Sequence, residues 1–253
     1  MTNRKNTFLQ RLLTCLFICI LASCMHRRAV DTPPRAVVRD GVAITLKDQK
    51  LTVLSGGKKV KDYSISSSKF GMGQSSGSNR TPLGIHAVTK KVGDGQPTGM
   101  VFKGCRPTGE VVTPDAGRDP IVTRVIQLAG LEDFNRNSHS RRIYIHGTPE
   151  ERNIGRPASY GCIRMRSKDV VDLYSYVYRG MPVAIESCSQ STYLKAEREN
   201  ARSIVIPAEI VANLPKDAEP RRVRARRFVG SRRGTARLAQ KGQSRMGKRA
   251  SRS

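Results

Sequence analysis

The sequence predicts a mostly β domain with little helix, and three observations carry that expectation. Between Val42 and Ile185, short stretches alternate apolar with polar residues at a period of two, with turn formers between them. Only one stretch, holding Val170, Leu173, Tyr174 and Val177, repeats at the helical spacing. Hydrophobic residues make up only 38% of the 253 and Trp is absent, so part of the chain is expected to lie outside the core.

The chain opens with Arg4, Lys5 and Arg11 ahead of an uncharged run, Leu12–Ser23. That run is too short for a bilayer-spanning helix, which takes about twenty residues, and it fits the apolar region of a secretory signal. Leu21-Ala22-Ser23-Cys24 resembles the lipobox of bacterial lipoproteins, in which cleavage leaves a lipidated cysteine at the new N-terminus. Residues 1–23 are therefore expected to leave, with Cys24 anchoring the mature chain to a membrane outside the cytoplasm. Met25, in place of an acidic residue, favours the outer over the inner membrane. Residues 24–41, with Pro33, Pro34 and several Arg, read as a linker.

From Val42 the elements follow in order. Val42, Ile44 and Leu46 alternate, Lys47–Lys50 turns, and Leu51 and Val53 alternate up to the Ser55-Gly56-Gly57 turn. Val60, Tyr63 and Ile65 make a third strand, and residues 66–80 a polar, glycine-rich loop. Thr81-Pro82-Leu83-Gly84 leads into a strand at Ile85–Val88; residues 93–120, rich in Gly and Pro, are expected to be irregular. Strands resume at Ile121–Leu128 and Arg142–His146. The helix around Val170–Val177 has Ser167 or Asp169 as candidate cap and Gly180 as terminator, and Pro182–Ile185 closes the domain. Residues 42–188 are thus one body. Residues 189–220 form an extension with a polar helix expected over 190–202.

Charge needs the same partition. The formal net charge is +26, but residues 221–253 hold 13 basic residues and no acidic one. That tail has too few apolar groups to offset chain entropy and is expected to stay unstructured. Its partners would be anionic lipid headgroups or wall polymers, or none. Nucleic acid is disfavoured by the export signal and by the scarcity of stacking aromatics.

The chemistry is expected at a cysteine. Cys105, Cys162 and Cys188 remain after the signal and Cys24, an odd number in an oxidising compartment, so at least one thiol should be free. Cys105 and Cys188 could pair or stay as small buried hydrophobes. Cys162 follows Gly161, which permits a tight turn whose backbone N–H groups could stabilise a thiolate and later an oxyanion. His146 ends a strand and precedes a turn, where an imidazole can be aimed into a cleft as base for the thiol. On the pairing alone, a structural His and a buried thiol are the better account, because Cys–His signatures do not transfer between families.

Taken together, His146-Gly147-Thr148 and Ser159-Tyr160-Gly161-Cys162-Ile163-Arg164-Met165 resemble the active-site signature of the L,D-transpeptidase catalytic domain family. Thr81-Pro82-Leu83-Gly84-Ile85 is similar to that family's Thr-Pro-x-Gly strand start. The resemblance implies an L,D-transpeptidase-like β-sandwich acting on peptidoglycan stem peptides without cofactor or metal. It makes Cys162 the nucleophile and His146 the base, oriented by a carbonyl such as that of Gly147, with the Gly161 and Cys162 N–H groups as oxyanion donors. Ser159 and Tyr160 would line the substrate site. Arg164 would meet a substrate carboxylate or form a structural salt bridge.

Tyr160 stands where the family usually has His, which bears on acceptor preference and rate. Rival readings are a hydrolase of the same family, with water as acceptor, and a wall-binding lipoprotein whose active site has lapsed.

Overall fold

A computed structural model describes residues 31–32, 34–199, 204 and 206–215. The expected signal, Cys24, the first part of the linker and the basic tail lie outside these residues. Among the described residues, no helix is long and apolar enough to cross a membrane.

Ten strands join in one mixed sheet: β1 (Gly41–Thr45), β2 (Lys50–Ser55), β3 (Lys58–Ser64), β4 (Gly84–Val92), β5 (Met100–Lys103), β6 (Arg106–Val111), β7 (Ile121–Gly130), β8 (Tyr144–Gly147), β9 (Ile163–Met165) and β10 (Pro182–Glu186). The order is β3-β2-β1-β10-β4-β7-β5-β6, with β8 also on β7 and β9 on β8. Among the paired strands of the described residues, β1–β10 and β8–β9 run parallel and the others antiparallel. The path bends back on itself. Ser66, just past β3, exchanges both backbone hydrogen bonds with Arg164 in β9, at 2.9 Å each, so the two ends meet around a core.

That core holds Val42, Ile44, Leu51, Ile126, Ile145, Ile163 and Met165 from the strands, and Val170, Leu173 and Tyr174 from helix α1 (Ser167–Tyr176). The helical periodicity is therefore the face α1 turns inward. Its capping differs from expectation. Neither Ser167 nor Asp169 caps α1 through its side chain; Glu151, sixteen residues earlier in the chain, accepts from the Ser167 N–H at 2.8 Å. The cap is tertiary, so local sequence did not carry it.

Strands β1 and β2 also depart from a half-buried pattern, because their other face is covered as well. Ala43, Leu54 and Ala184 lie under Tyr193 of helix α2 (Gln190–Glu199), whose hydroxyl accepts from the Val38 N–H at 2.8 Å. Helix α3 (Ala208–Asn213) follows, and Leu214 just past it packs on Ala87 and Ala129.

Residues 93–120 are not irregular throughout: β5 and β6 form a hairpin there. Gly104 and Cys105, both at φ 57°, make the two-residue turn such hairpins favour. β6 is exposed along its length and carries Pro107, tolerated on an edge, so it has no apolar alternation to read. Cys105, Cys162 and Cys188 are all free, and only Cys188 is fully buried.

Candidate active site

The parallel β8–β9 ladder pairs Ile145 with Ile163 and His146 with Arg164. Side chains alternate faces along each strand. Ile145, Ile163 and Met165 therefore enter the core, while Tyr144, His146 and Arg164 share the other face with Cys162, one step before β9. Cys162 lies two positions before Arg164, the register partner of His146, so the two residues stand on one face of neighbouring segments.

His146 is aimed by strain in its neighbour. β7 bulges between the partners of Gly147 and His146, and the bulge holds Thr123 at φ 71°, a conformation that β-branched residues rarely adopt. Gly147 must be glycine here: a Cβ would stand 2.7 Å from the Val122 carbonyl oxygen. His146 Nδ1 lies 2.8 Å from the Gly147 carbonyl oxygen. A carbonyl only accepts, so Nδ1 carries the proton and Nε2 of the neutral ring keeps its lone pair. Burial pushes the imidazole down to about 4, and nearby Arg164 adds to the shift.

Cys162 is half-buried, and its thiol donates to the Arg142 carbonyl oxygen at 3.3 Å. Burial raises this thiol to about 11, opposed by the Tyr144 N–H and by Arg164 and Arg141. Burial thus disfavours the charged form of both groups. Arg142 itself sits at φ 58°, so the carbonyl facing the thiol belongs to a left-handed residue.

The loop before Cys162 is tied down from several sides. Gly161 adopts φ 117°, open to glycine and strained for other residues. Ser159, expected at the substrate, is buried; its Oγ donates to the Cys162 carbonyl oxygen at 2.6 Å and accepts from the Gly161 N–H at 3.2 Å. Thr81 Oγ1 clips the Gly161 carbonyl oxygen at 3.1 Å, which accounts for the Thr-Pro segment in the signature. Arg164 is buried too. It pairs with Asp119 at 2.6 Å and donates to the Ala158 carbonyl at 2.6 Å, so its guanidinium is already engaged inside the fold.

Tyr160 turns outward, 61% exposed, with its hydroxyl 2.9 Å from Lys69 Nζ and its ring 5.4 Å from that of Phe70. Sequence reading missed Lys69, Phe70, Asp119 and Arg142. A lone Phe in a Ser/Gly-rich loop was the available hint for the first two; no local signal marks the others. Cys105 is also unexpected here. Gln127 Nε2 donates to its sulfur at 2.9 Å, and it packs with Cys162 around Tyr144.

Comparison with known proteins identifies the family of the domain. A family model described as the L,D-transpeptidase catalytic domain matches residues 39–185. A protein from Escherichia coli K12 named "Probable L,D-transpeptidase YcfS" is 25% identical over 186 residues, 72% of this chain and 54% of its own length. The chain thus spans about half of that relative. Among solved structures, an L,D-transpeptidase from Mycobacterium smegmatis is 16% identical over 58% of each chain, with a TM-score of 0.38. Bd1075 of Bdellovibrio bacteriovorus is 18% identical over 68% of this chain and 58% of its own, with a TM-score of 0.40. With the family model covering more than half its length, the chain belongs to the L,D-transpeptidase catalytic domain family.

Proposed function

We propose that the protein is an exported peptidoglycan L,D-transpeptidase with Cys162 as nucleophile and His146 as general base. The observation that carries this reading is the tautomer held by Gly147: Nδ1 is occupied by a carbonyl, leaving Nε2 to take the thiol proton. Because burial disfavours both charged forms, the proton moves as the sulfur attacks, and no standing thiolate–imidazolium pair is needed.

The sulfur adds to the carbonyl carbon of the donor's L,D peptide bond. The Cys162 N–H meets the oxyanion, joined by the Gly161 N–H on release from Ser159. The C–N bond then breaks, His146 returns its proton to the departing D-Ala amine, and a thioester remains. An acceptor amine attacks that thioester, loses a proton to His146 and regenerates the thiol, giving a 3→3 crosslink. Arg164, held by Asp119, positions the strand beside His146 and does not contact the substrate.

Around this domain, taken as residues 42–188, we place a signal over 1–23, lipidated Cys24, a linker to residue 41, an extension over 189–220 and a basic tail over 221–253. The anchor and tail would hold the enzyme in the cell envelope, at the outer membrane, among anionic polymers. Incubating purified protein with tetrapeptide-rich muropeptides and weighing the products tests the activity. Dimers are the expected result. Shortened monomers would show water as acceptor, and unchanged substrate with retained binding would indicate a lapsed site. Replacing Cys24 with Ala should release the protein from the membrane fraction.

A further inference from the structure

Of the cations around the Cys162 loop, Arg164 and Arg141 are already engaged. Arg164 is buried on Asp119, and Arg141 donates to the Gly73 and Arg80 carbonyl oxygens at 3.1 and 2.6 Å. Lys69 differs. Its side chain is exposed, and its partners among the described residues are the Tyr160 hydroxyl at 2.9 Å and two aromatic rings, with Nζ 4.3 Å from the Tyr160 centroid and 5.3 Å from that of Phe70.

We propose that Lys69 and Tyr160 together form the receptor for a free carboxylate of the donor stem. The inference rests on the transpeptidase reading for its substrate. The ammonium has three N–H donors and spends one on Tyr160. The phenol oxygen accepts that bond, so its own O–H remains to be given outward. One carboxylate can accept from both, in the charge-assisted geometry that makes such bonds strong. The position suits a ligand bound at Cys162, because Tyr160 is two residues away and no more than ~7 Å distant at Cα.

Two further features favour a binding surface over a solvated lysine. Phe70 is 44% exposed and Tyr160 61%, an exposed aromatic pair two residues from Cys162 of the kind found where ligands dock. The segment carrying them is also fixed in advance. The Lys69 N–H donates to the Ser159 carbonyl oxygen at 3.1 Å, and Ser68 Oγ donates to the Asn79 carbonyl oxygen at 2.5 Å and accepts from the Phe70 N–H at 3.0 Å. A fixed cation loses less entropy on binding than a free one.

The test uses synthetic tetrapeptide stems in three forms: all carboxylates free, the terminal one as carboxamide, and an internal one as carboxamide. Binding is measured by calorimetry on the Cys162→Ala protein, with and without Lys69→Met. The free stem should bind about fivefold tighter than one of the two carboxamides, which identifies the carboxylate recognised. Lys69→Met should erase that preference, Lys69→Arg should restore it, and added salt should weaken it. In turnover, Lys69→Met should act mainly on KM. The proposal is overturned if both carboxamides bind as tightly as the free stem, or if Lys69→Met keeps the preference. Preferential binding without any dimer or trimmed product in the wild type would sink the transpeptidase reading and leave this inference standing. Dimers without preference would do the reverse.

Discussion

Arg164 is paired in register with His146 across the β8–β9 ladder, yet its guanidinium turns to Asp119 at 2.6 Å. The pair sets the field at the imidazole, since Arg164 disfavours its protonation and Asp119 favours it. Asp119 also accepts from Thr148 Oγ1 at 2.5 Å, just past His146. Asp119→Asn should leave a buried guanidinium unpaired and cost about 2 kcal/mol, below the full penalty for a buried pair because Asp119 is partly exposed. A melting temperature lower by ~5 °C checks this. With Arg164 unopposed, the imidazole should become still less basic, and the acid limb of any His146-dependent rate should move to lower pH. An unchanged limb would mean Asp119 acts on stability alone.

Two buried histidines should make stability fall in mild acid. His86, held between the Gly84 carbonyl and Ser138 Oγ at 3.0 Å each, and His146 are both pushed by burial to about 4 from 6.5. Between those values the unfolded chain binds protons that the folded chain refuses. Stability therefore drops as pH falls from about 6.5 to 4 and levels off below that. Each histidine contributes about 3 kcal/mol across the window. Urea unfolding at pH 7 and pH 4.5 should show the loss, and His86→Gln should roughly halve it. Equal loss in the variant would mean His86 is not one of the groups responsible.

How much of this was legible in the sequence depends on the range of the interaction. β1 and β2 were readable because Val42, Ile44, Leu51 and Val53 alternate within a few residues, and α1 because its core face recurs every third or fourth position. The association of His146 with Cys162 came from a motif; spacing alone left it open, since the parallel ladder joining them depends on Ser66 closing the sheet onto Arg164. Contacts made only in three dimensions left no trace: Glu151 on Ser167, Asp119 on Arg164, the Arg142 carbonyl on Cys162. The β5–β6 hairpin was hidden for another reason. An exposed edge strand has no buried face to impose a period, so Arg106–Val111 looked like loop.

Gly147 offers a direct probe of how tightly His146 is placed. An alanine Cβ would meet the Val122 carbonyl oxygen at 2.7 Å and Thr123 Cβ at 3.1 Å. Both lie at the β7 bulge, which is already strained at Thr123 and has little room to give. Gly147→Ala should push β8 from β7, costing about 1–3 kcal/mol as overpacking does. It should also tilt the carbonyl that fixes Nδ1. Thermal unfolding checks the first effect. For the second, the Nδ1–H signal in proton NMR should shift or broaden, and its persistence at the wild-type position would show that β8 tolerates the methyl.

The assignment of the base can be tested without any natural substrate. A carbapenem acylates a thiol that can reach it, and the adduct is read by intact mass. If His146 Nε2 takes the thiol proton, His146→Ala should abolish acylation at neutral pH, while Tyr160→Phe, which keeps the ring and loses only the hydroxyl, should retain it within about tenfold. Equal loss in both would remove His146 from the role. The pH profile reports where the pair of groups gains and loses protons. With the imidazole down to about 4 and the thiol up to about 11, the neutral pair persists across the range between, so the wild-type acylation rate should be nearly flat from pH 6 to 9. A thiolate–imidazolium pair holds the same number of protons and would give a plateau too, so it is told apart by the ultraviolet absorbance of a thiolate in the free protein. A narrow bell near neutrality would show that the two groups titrate closer together than their burial implies.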